Sequence, residues 1–421
     1  MEESNFILMK FEDPLADMGD IDNDGLEEII YTRMLGIIIT GKDRKEILSK
    51  FLTIPKISKK KKKEEREKRR QAVDLSETDA SDIPLFVKTA DVNGDGKKEI
   101  IIARADGVLF ATDQKGEEVW GVDIKAAARK ILILEPKNRT AGVIVITEKG
   151  DTLAIEAKKR GIKVREFAKN IIVENGVIGD VNGDGEDEIV LISRHGDLLI
   201  YNRDFSCMER ISTGMYLEGA KIVVGEIDND GLEEVVIADR LGRISVWNWG
   251  EEIKIISSVQ GEVTSLYAMD INSDRIDEII VLTYEGFVYI LKGSEIIYER
   301  REEREIVTDL DNDGKPERLI RSGRELIIQR ANKRIIKSFN DWISSICASD
   351  INHDGVKEII VTTLDRRIMA INIEGRIIWT INVFSPPMRC IIDDFDHDGK
   401  KELIILGDKS IYVFKEGLRN A

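Results

Sequence analysis

Asp180-Val-Asn-Gly-Asp-Gly-Glu-Asp-Glu188 runs directly into the apolar stretch Ile189-Val-Leu-Ile192 and then into the turn Ser193-Arg-His-Gly-Asp197. The same acidic phrase, followed by the same kind of apolar run, starts at Asp20, Asp91, Glu226, Asp270, Asp309, Asp350 and Asp394. Successive starts lie 71, 89, 46, 44, 39, 41 and 44 residues apart. The gap of 89 is two periods, with a worn copy midway, Ile131-Leu-Ile-Leu-Glu135 through Gly142-Val-Ile-Val-Ile146. The gap of 71 is one period plus an insertion, so the spacing counts nine units.

Each unit follows one grammar. A short continuous apolar run bounded by turn residues, such as Glu278-Ile-Ile-Val-Leu282, reads as a strand buried on both faces. A Gly- or Asp-marked turn leads to a third strand, as in Gly242-Arg-Ile-Ser-Val-Trp247, and a more polar fourth strand closes the unit, as in Ile377-Ile-Trp-Thr-Ile381. Four strands in this period make a β-propeller blade, and face-to-face stacking of neighbouring blades explains the missing polar alternation. The expectation is an all-β chain: residues 1–421 form one propeller of nine four-stranded blades, or eight with one displaced unit. The last unit stops after Ile411-Tyr-Val-Phe414, and Phe6-Ile-Leu-Met-Lys-Phe11 precedes the first acidic phrase. Docked as the fourth strand of the final blade, Phe6–Phe11 would close the ring and remove open sheet edges.

In the acidic phrase, oxygen-bearing side chains stand at positions 1, 3 and 5 and Gly at position 6, a pattern that wraps a loop around a hard cation such as Ca²⁺. It is not an EF-hand, since position 12 is Tyr31, Leu191 or Val361, the acid falls at position 9, and the flanks are strands. The phrase resembles the FG-GAP or VCBS repeat of integrin α-subunit propellers, whose loops chelate through positions 1, 3, 5 and 9. That resemblance implies structural Ca²⁺ and, on the Glu-ended style of these loops, intracellular relatives such as propellers of the Bardet–Biedl trafficking complex. Its candidate ligand sets are Asp20, Asp22, Asp24 and Glu28; Asp91, Asn93, Asp95 and Glu99; Asp180, Asn182, Asp184 and Glu188; Asp309, Asp311, Asp313 and Glu317; Asp350, Asn352, Asp354 and Glu358; and Asp394, Asp396, Asp398 and Glu402.

Three features depart from that pattern. Position 9 is Glu throughout where calcium-binding members carry Asp; the Asp270 copy has Arg275 in place of Gly; and the Glu226 copy begins with the longer acid. Glu reaches further than Asp and can pair with backbone, and Asx-turn hydrogen bonds can hold such a loop without metal. The all-Asp loops concentrate four negative charges, which a cation would relieve, while the Asn loops carry one charge fewer.

Residues 53–84 form the insertion, whose core Ser58-Lys-Lys-Lys-Lys-Lys-Glu-Glu-Arg-Glu-Lys-Arg-Arg70 is expected to protrude over residues 54–82. It is either a solvated loop or, along Lys59–Arg70, a contact for an anionic partner. Elsewhere the chain is acidic, with 63 Lys and Arg against 79 Asp and Glu and a net charge of −16, which argues against nucleic-acid binding by the body. No apolar run approaches the ~20 residues of a membrane span.

The three widely spaced cysteines, Cys207, Cys347 and Cys390, suit buried thiols in a reducing, cytoplasmic setting. The three histidines sit in turns or free loop positions, without metal-ligand spacing, and no nucleophile motif is present. Trp120 and Trp379 occupy matching strand positions that resemble the blade-locking Trp of quinoprotein propellers, and read as packing residues. The expectation is a non-enzymatic intracellular scaffold with protein partners. Two other classes stay open: an extracellular Ca²⁺-dependent adhesion or carbohydrate-binding propeller, and a polysaccharide-active or quinone-dependent propeller enzyme.

Overall fold

Strands Glu99–Arg104, Glu188–Ser193, Glu278–Thr283 and Glu358–Thr363 are buried at every position, as a sheet covered on both faces requires. They belong to a computed structural model that describes residues 84–414 except 114, 136–140, 159–160, 273, 302–304, 331–332, 352–353, 384–385, 394–400 and 408–409. Ahead of these it describes the strands Phe6–Phe11, Ala16–Gly19, Glu28–Arg33, Gly36–Thr40 and Glu46–Phe51. The acidic stretches 20–27 and 394–400 and nearly all of the charged insertion lie outside the described residues.

Among the described residues every element is a strand, and the strands form nine four-stranded antiparallel sheets, the blades of a β-propeller. Blades one to eight are sequential meanders over residues 16–51, 84–123, 128–167, 173–212, 221–258, 263–301, 305–338 and 343–382. Blade nine takes its three inner strands from residues 387–414 and its fourth from Phe6–Phe11, which pairs antiparallel with Ser410–Phe414 and sets Phe6 opposite Phe414. The N-terminal strand is therefore docked where the sequence led us to expect it. No helix among the described residues is long and apolar enough to cross a membrane.

The chain divides into two compact units. In Pro14–Gly219, which holds blades one to four, blade two packs on three through Ile101, Leu109, Ile131 and Val143. Blade three packs on four through Leu132, Ile144, Ile189 and Leu199. Trp120 is buried in the first of these layers, so its packing role holds, as does that of Trp379, which lies partly buried beside blade nine. Two of the three cysteines, Cys347 and Cys390, are buried; Cys207 is exposed because it opens the outermost, polar strand of its blade.

The second unit, Met1–Asp13 with Ala220–Ala421, departs from stacking in chain order. Blade five packs on six, but the far face of six (Tyr267, Ile280, Ile290) meets blade nine (Ile391, Ile404, Ile411). The Tyr267 hydroxyl there donates to the Gly407 carbonyl at 3.4 Å. The other face of blade nine packs on eight, and eight on seven, giving the order five, six, nine, eight, seven. Composition explains the exchange. Blade six is apolar on both faces and needs two apolar neighbours. Blade seven has one apolar face to offer: in Glu317-Arg-Leu-Ile-Arg-Ser322, Leu319 is buried against blade eight while Arg318 is exposed and pairs with Glu305. Val307 and Ile336 on that outer face are likewise exposed.

Candidate functional site

Each described acidic loop joins the first strand of its blade to the second, so these loops occupy the same end of their sheets. Blade three has lost the phrase. Position 6 adopts a left-handed conformation in each described loop: φ is 86° at Gly96, 84° at Gly185, 89° at Gly231, 82° at Gly314 and 88° at Gly355. A Cβ built at Gly96, Gly231, Gly314 or Gly355 would meet nothing within 4 Å, so backbone torsion rather than crowding selects Gly. Arg275 holds the same torsion, φ 73°, against the preference of an L side chain.

The loop side chains are spent largely on their own backbone. Asp91 accepts from the N–H groups of Gly94 at 2.6 Å and Gly96 at 2.9 Å. Asn93 accepts from Asp95 N–H at 2.8 Å, and its amide donates to Glu99 Oε1 at 2.7 Å. Glu99 Oε2 accepts from Val92 N–H at 3.1 Å. Glu at position 9 thus reaches back to the backbone at position 2, as do Glu234 to Ile227, Glu278 to Ile271, Glu317 to Leu310 and Glu358 to Ile351. In the loop at Asp180, the Asn182 amide donates to Glu188 at 2.9 Å and Asp184 at 3.1 Å. In the Asp270 loop, Asn272 donates to Glu278 and Asp274, and Asp274 also pairs with Lys292.

Where position 3 is Asp, the loop interior changes. Among the described residues, two groups of acids bring ligand oxygens within 4.8 Å of one another: Glu226, Asp228 and Asp230; and Asp309, Asp311 and Glu317. Each of these loops also carries a buried carboxylate oxygen without a hydrogen-bond partner among the described residues, Glu234 Oε1 in the first and Asp311 Oδ1 in the second, a feature shared by Glu188 Oε2 in the Asn loop at Asp180. In the second, the Arg330 guanidinium pairs with Asp311 and lies 3.5 Å from Glu317, supplying positive charge from the protein itself. In the first, Asn248 donates to Asp228 at 3.1 Å, while Glu226 accepts from Asn229 and Gly231 N–H at 2.6 Å each. The longer acid at position 1 therefore does what Asp does elsewhere. Of the other predicted ligands, Asp350 and Asp354 hold backbone N–H groups, Asn352 is outside the described residues, and Glu402 is buried at a strand start.

Burial, with a smaller push from the loop aspartates, raises Glu99, Glu188, Glu234 and Glu278 from the ordinary 4.5 to about 7. Glu358 shifts in the same direction for the same reason.

A family model described as the lambda-carrageenase beta-propeller domain matches residues 67–133. No curated protein matches the chain. Among solved structures, BBS1N in complex with ARL6DN, soaked with mercury, is similar at 12% identity and TM-score 0.44, over 79% of this chain and 93% of that one. Sqt1 of Saccharomyces cerevisiae is similar at 10% and 0.43, over 79% and 97%; BamB of Moraxella catarrhalis at 12% and 0.37, over 77% and 95%. The class itself, a β-propeller, rests on the nine four-stranded sheets of this chain.

Proposed function

We propose that this chain is a non-enzymatic, cytoplasmic scaffold of the FG-GAP/VCBS type that presents blade loops to protein partners. The observation that carries this reading is the occupation of the acidic side chains by their own loop backbones, which leaves no nucleophile, base and substrate space assembled there. Calcium has a structural part in the proposal. The loop at Glu226 is its best site, because Glu226, Asp228 and Asp230 converge there with no arginine or lysine ion-paired to them among the described residues, beside the unpartnered oxygen of Glu234. Affinity capture from native lysate tests the reading: one or more proteins should co-purify in stoichiometric amount. Capture of no protein, together with cleavage of lambda-carrageenan or another anionic polysaccharide, would replace the scaffold with an enzyme.

A further inference from the structure

At the end of the blades opposite the acidic loops, one pair of positions recurs. The residue just before a first strand uses its carbonyl to accept the N–H of a residue in the turn after the second strand. Ala127 accepts from Glu148, Ile172 from Arg194, Glu262 from Tyr284 and Trp342 from Leu364, at 2.8–3.0 Å. The backbone of this pair is fixed by the fold, and the side chains are free to vary. Only the Trp342–Leu364 pair of these four is apolar on both sides, and both residues are exposed, Trp342 at 57% and Leu364 at 40%. A Cβ on Gly323 would lie 3.6 Å from Trp342 Cζ3, so part of the indole rests on that glycine turn while most of the residue meets solvent.

The surroundings are basic in a chain of net charge −16. Arg324, next to Gly323, and Arg366, two residues after Leu364, are exposed and have no ion-pair partner among the described residues. Of the nearby acids, Asp365 pairs with Arg367, while Asp341 keeps its negative charge and accepts the N–H of Trp342 at 2.8 Å, so the two arginines outnumber it. Glu325 alternates with the inward-facing Leu326 and so belongs to the other face of its strand. Arg321 is committed to the carbonyls of Ile343 and Ser344.

We infer that Trp342, Leu364, Arg324 and Arg366 form a docking point for an acidic linear segment of a partner protein. An apolar side chain of the segment seats on the indole and Leu364, and its carboxylates meet the two free guanidiniums. Trp and Arg are the residues that most often anchor an interface, and aligned opposite charges select the partner. An anionic sugar would also meet arginine and indole, but it would be repelled by Asp341, and here the residue bonded through its backbone to Trp342 is the exposed, apolar Leu364. The inference rests on the scaffold reading and names one surface of it.

The test uses the full chain and a fluorescein-labelled peptide, acetyl-Asp-Glu-Leu-Asp-Phe-Glu-Asp-amide, followed by anisotropy. Saturable binding is expected, weakened by salt and lost by at least about tenfold in Trp342→Ala and in the Arg324→Glu/Arg366→Glu pair. Both variants should keep the wild-type melting temperature, since the altered side chains are exposed. Absence of saturable binding, equal binding by the variants, stronger binding of a second peptide with Lys in place of every acid, or displacement by lambda-carrageenan and not by unlabelled peptide would each overturn the inference. Lysate capture separates the two claims: if Trp342→Ala retains every partner, this surface is wrong and the scaffold stands, whereas if the wild type captures none, the scaffold reading fails.

Discussion

In the loop that begins at Asp180 the third residue is Asn182, whose amide gives its hydrogens to Asp184 and Glu188. In the loop that begins at Glu226 the third residue is Asp228, which has no hydrogen to give and shares a 4.8 Å neighbourhood with Glu226 and Asp230. The two loops bend alike, with left-handed glycines at 185 and 231. Exchanging the amide donor at position 3 for a carboxylate thus removes two internal hydrogen bonds and gathers three acids, although Glu188 Oε2 in the Asn loop is also buried without a partner among the described residues. Hydrogen bonds supply locally what a cation would otherwise supply.

The sharpest way to break that comparison is to remove the acid that seals the turn. Glu99→Ala strands the buried Val92 N–H and the Asn93 amide, and urea unfolding should show a loss of about 2–4 kcal/mol; a loss near zero would mean the seal is ornamental. Calcium sharpens the contrast next. For the metal-free protein, Ca²⁺ at a hundredfold excess over its Kd should stabilise by about 2.7 kcal/mol per occupied loop. Calorimetry should count one ion fewer in Asp228→Asn and one more in Asn182→Asp. Unchanged stoichiometry in both would detach metal binding from position 3.

A pH series probes the same carboxylates. Glu99, Glu188, Glu234 and Glu278 titrate near 7 in the folded chain and near 4.5 when unfolded, so the native state holds protons that the unfolded state releases. Their contribution is fully present below pH 4.5 and is lost as pH rises through about 7, so the melting temperature in EDTA should fall from pH 5 to pH 8. Calcium binding should strengthen over the same span, since it favours ionised Glu234, and should release protons near neutrality. A melting temperature that rises with pH in EDTA would contradict the buried, protonated assignment. The smallest effect belongs to Arg275→Gly, which relieves a left-handed torsion and should stabilise by about 1 kcal/mol in the same urea assay.

Most of the fold was legible because the acidic phrase marks every blade but one, and the apolar run after it fixes strand and burial together. The docking of Phe6–Phe11 was legible from a blade one strand short. What the repeats concealed was the order of packing. The alternation in Glu317-Arg-Leu-Ile-Arg-Ser322 was on view as the mark of a one-faced sheet, but a period count weighs every unit alike and so passes over it. In the site, reading charge alone ranks an Asn loop as a weaker version of an Asp loop. The amide is instead a donor aimed at the carboxylates, which only side-chain geometry displays. The first-position Glu226 looked like a departure, yet its two backbone hydrogen bonds match those of Asp91. The Trp342–Leu364 patch left no motif, because its two halves are joined by a backbone bond across 22 residues.

The pairing of Phe6–Phe11 with Ser410–Phe414 also sets a timetable. At roughly 5–20 residues per second, about 20–80 s pass between the synthesis of Phe6–Phe11 and that of its partner Ser410–Phe414, and the earlier strand must wait before it finds its place. Through that interval it is a loose β-edge, free to pair with another nascent chain. A ribosome that stalls before Ser410 would leave Phe6–Phe11 unclaimed, so the safety of that strand is decided about 400 residues downstream of it.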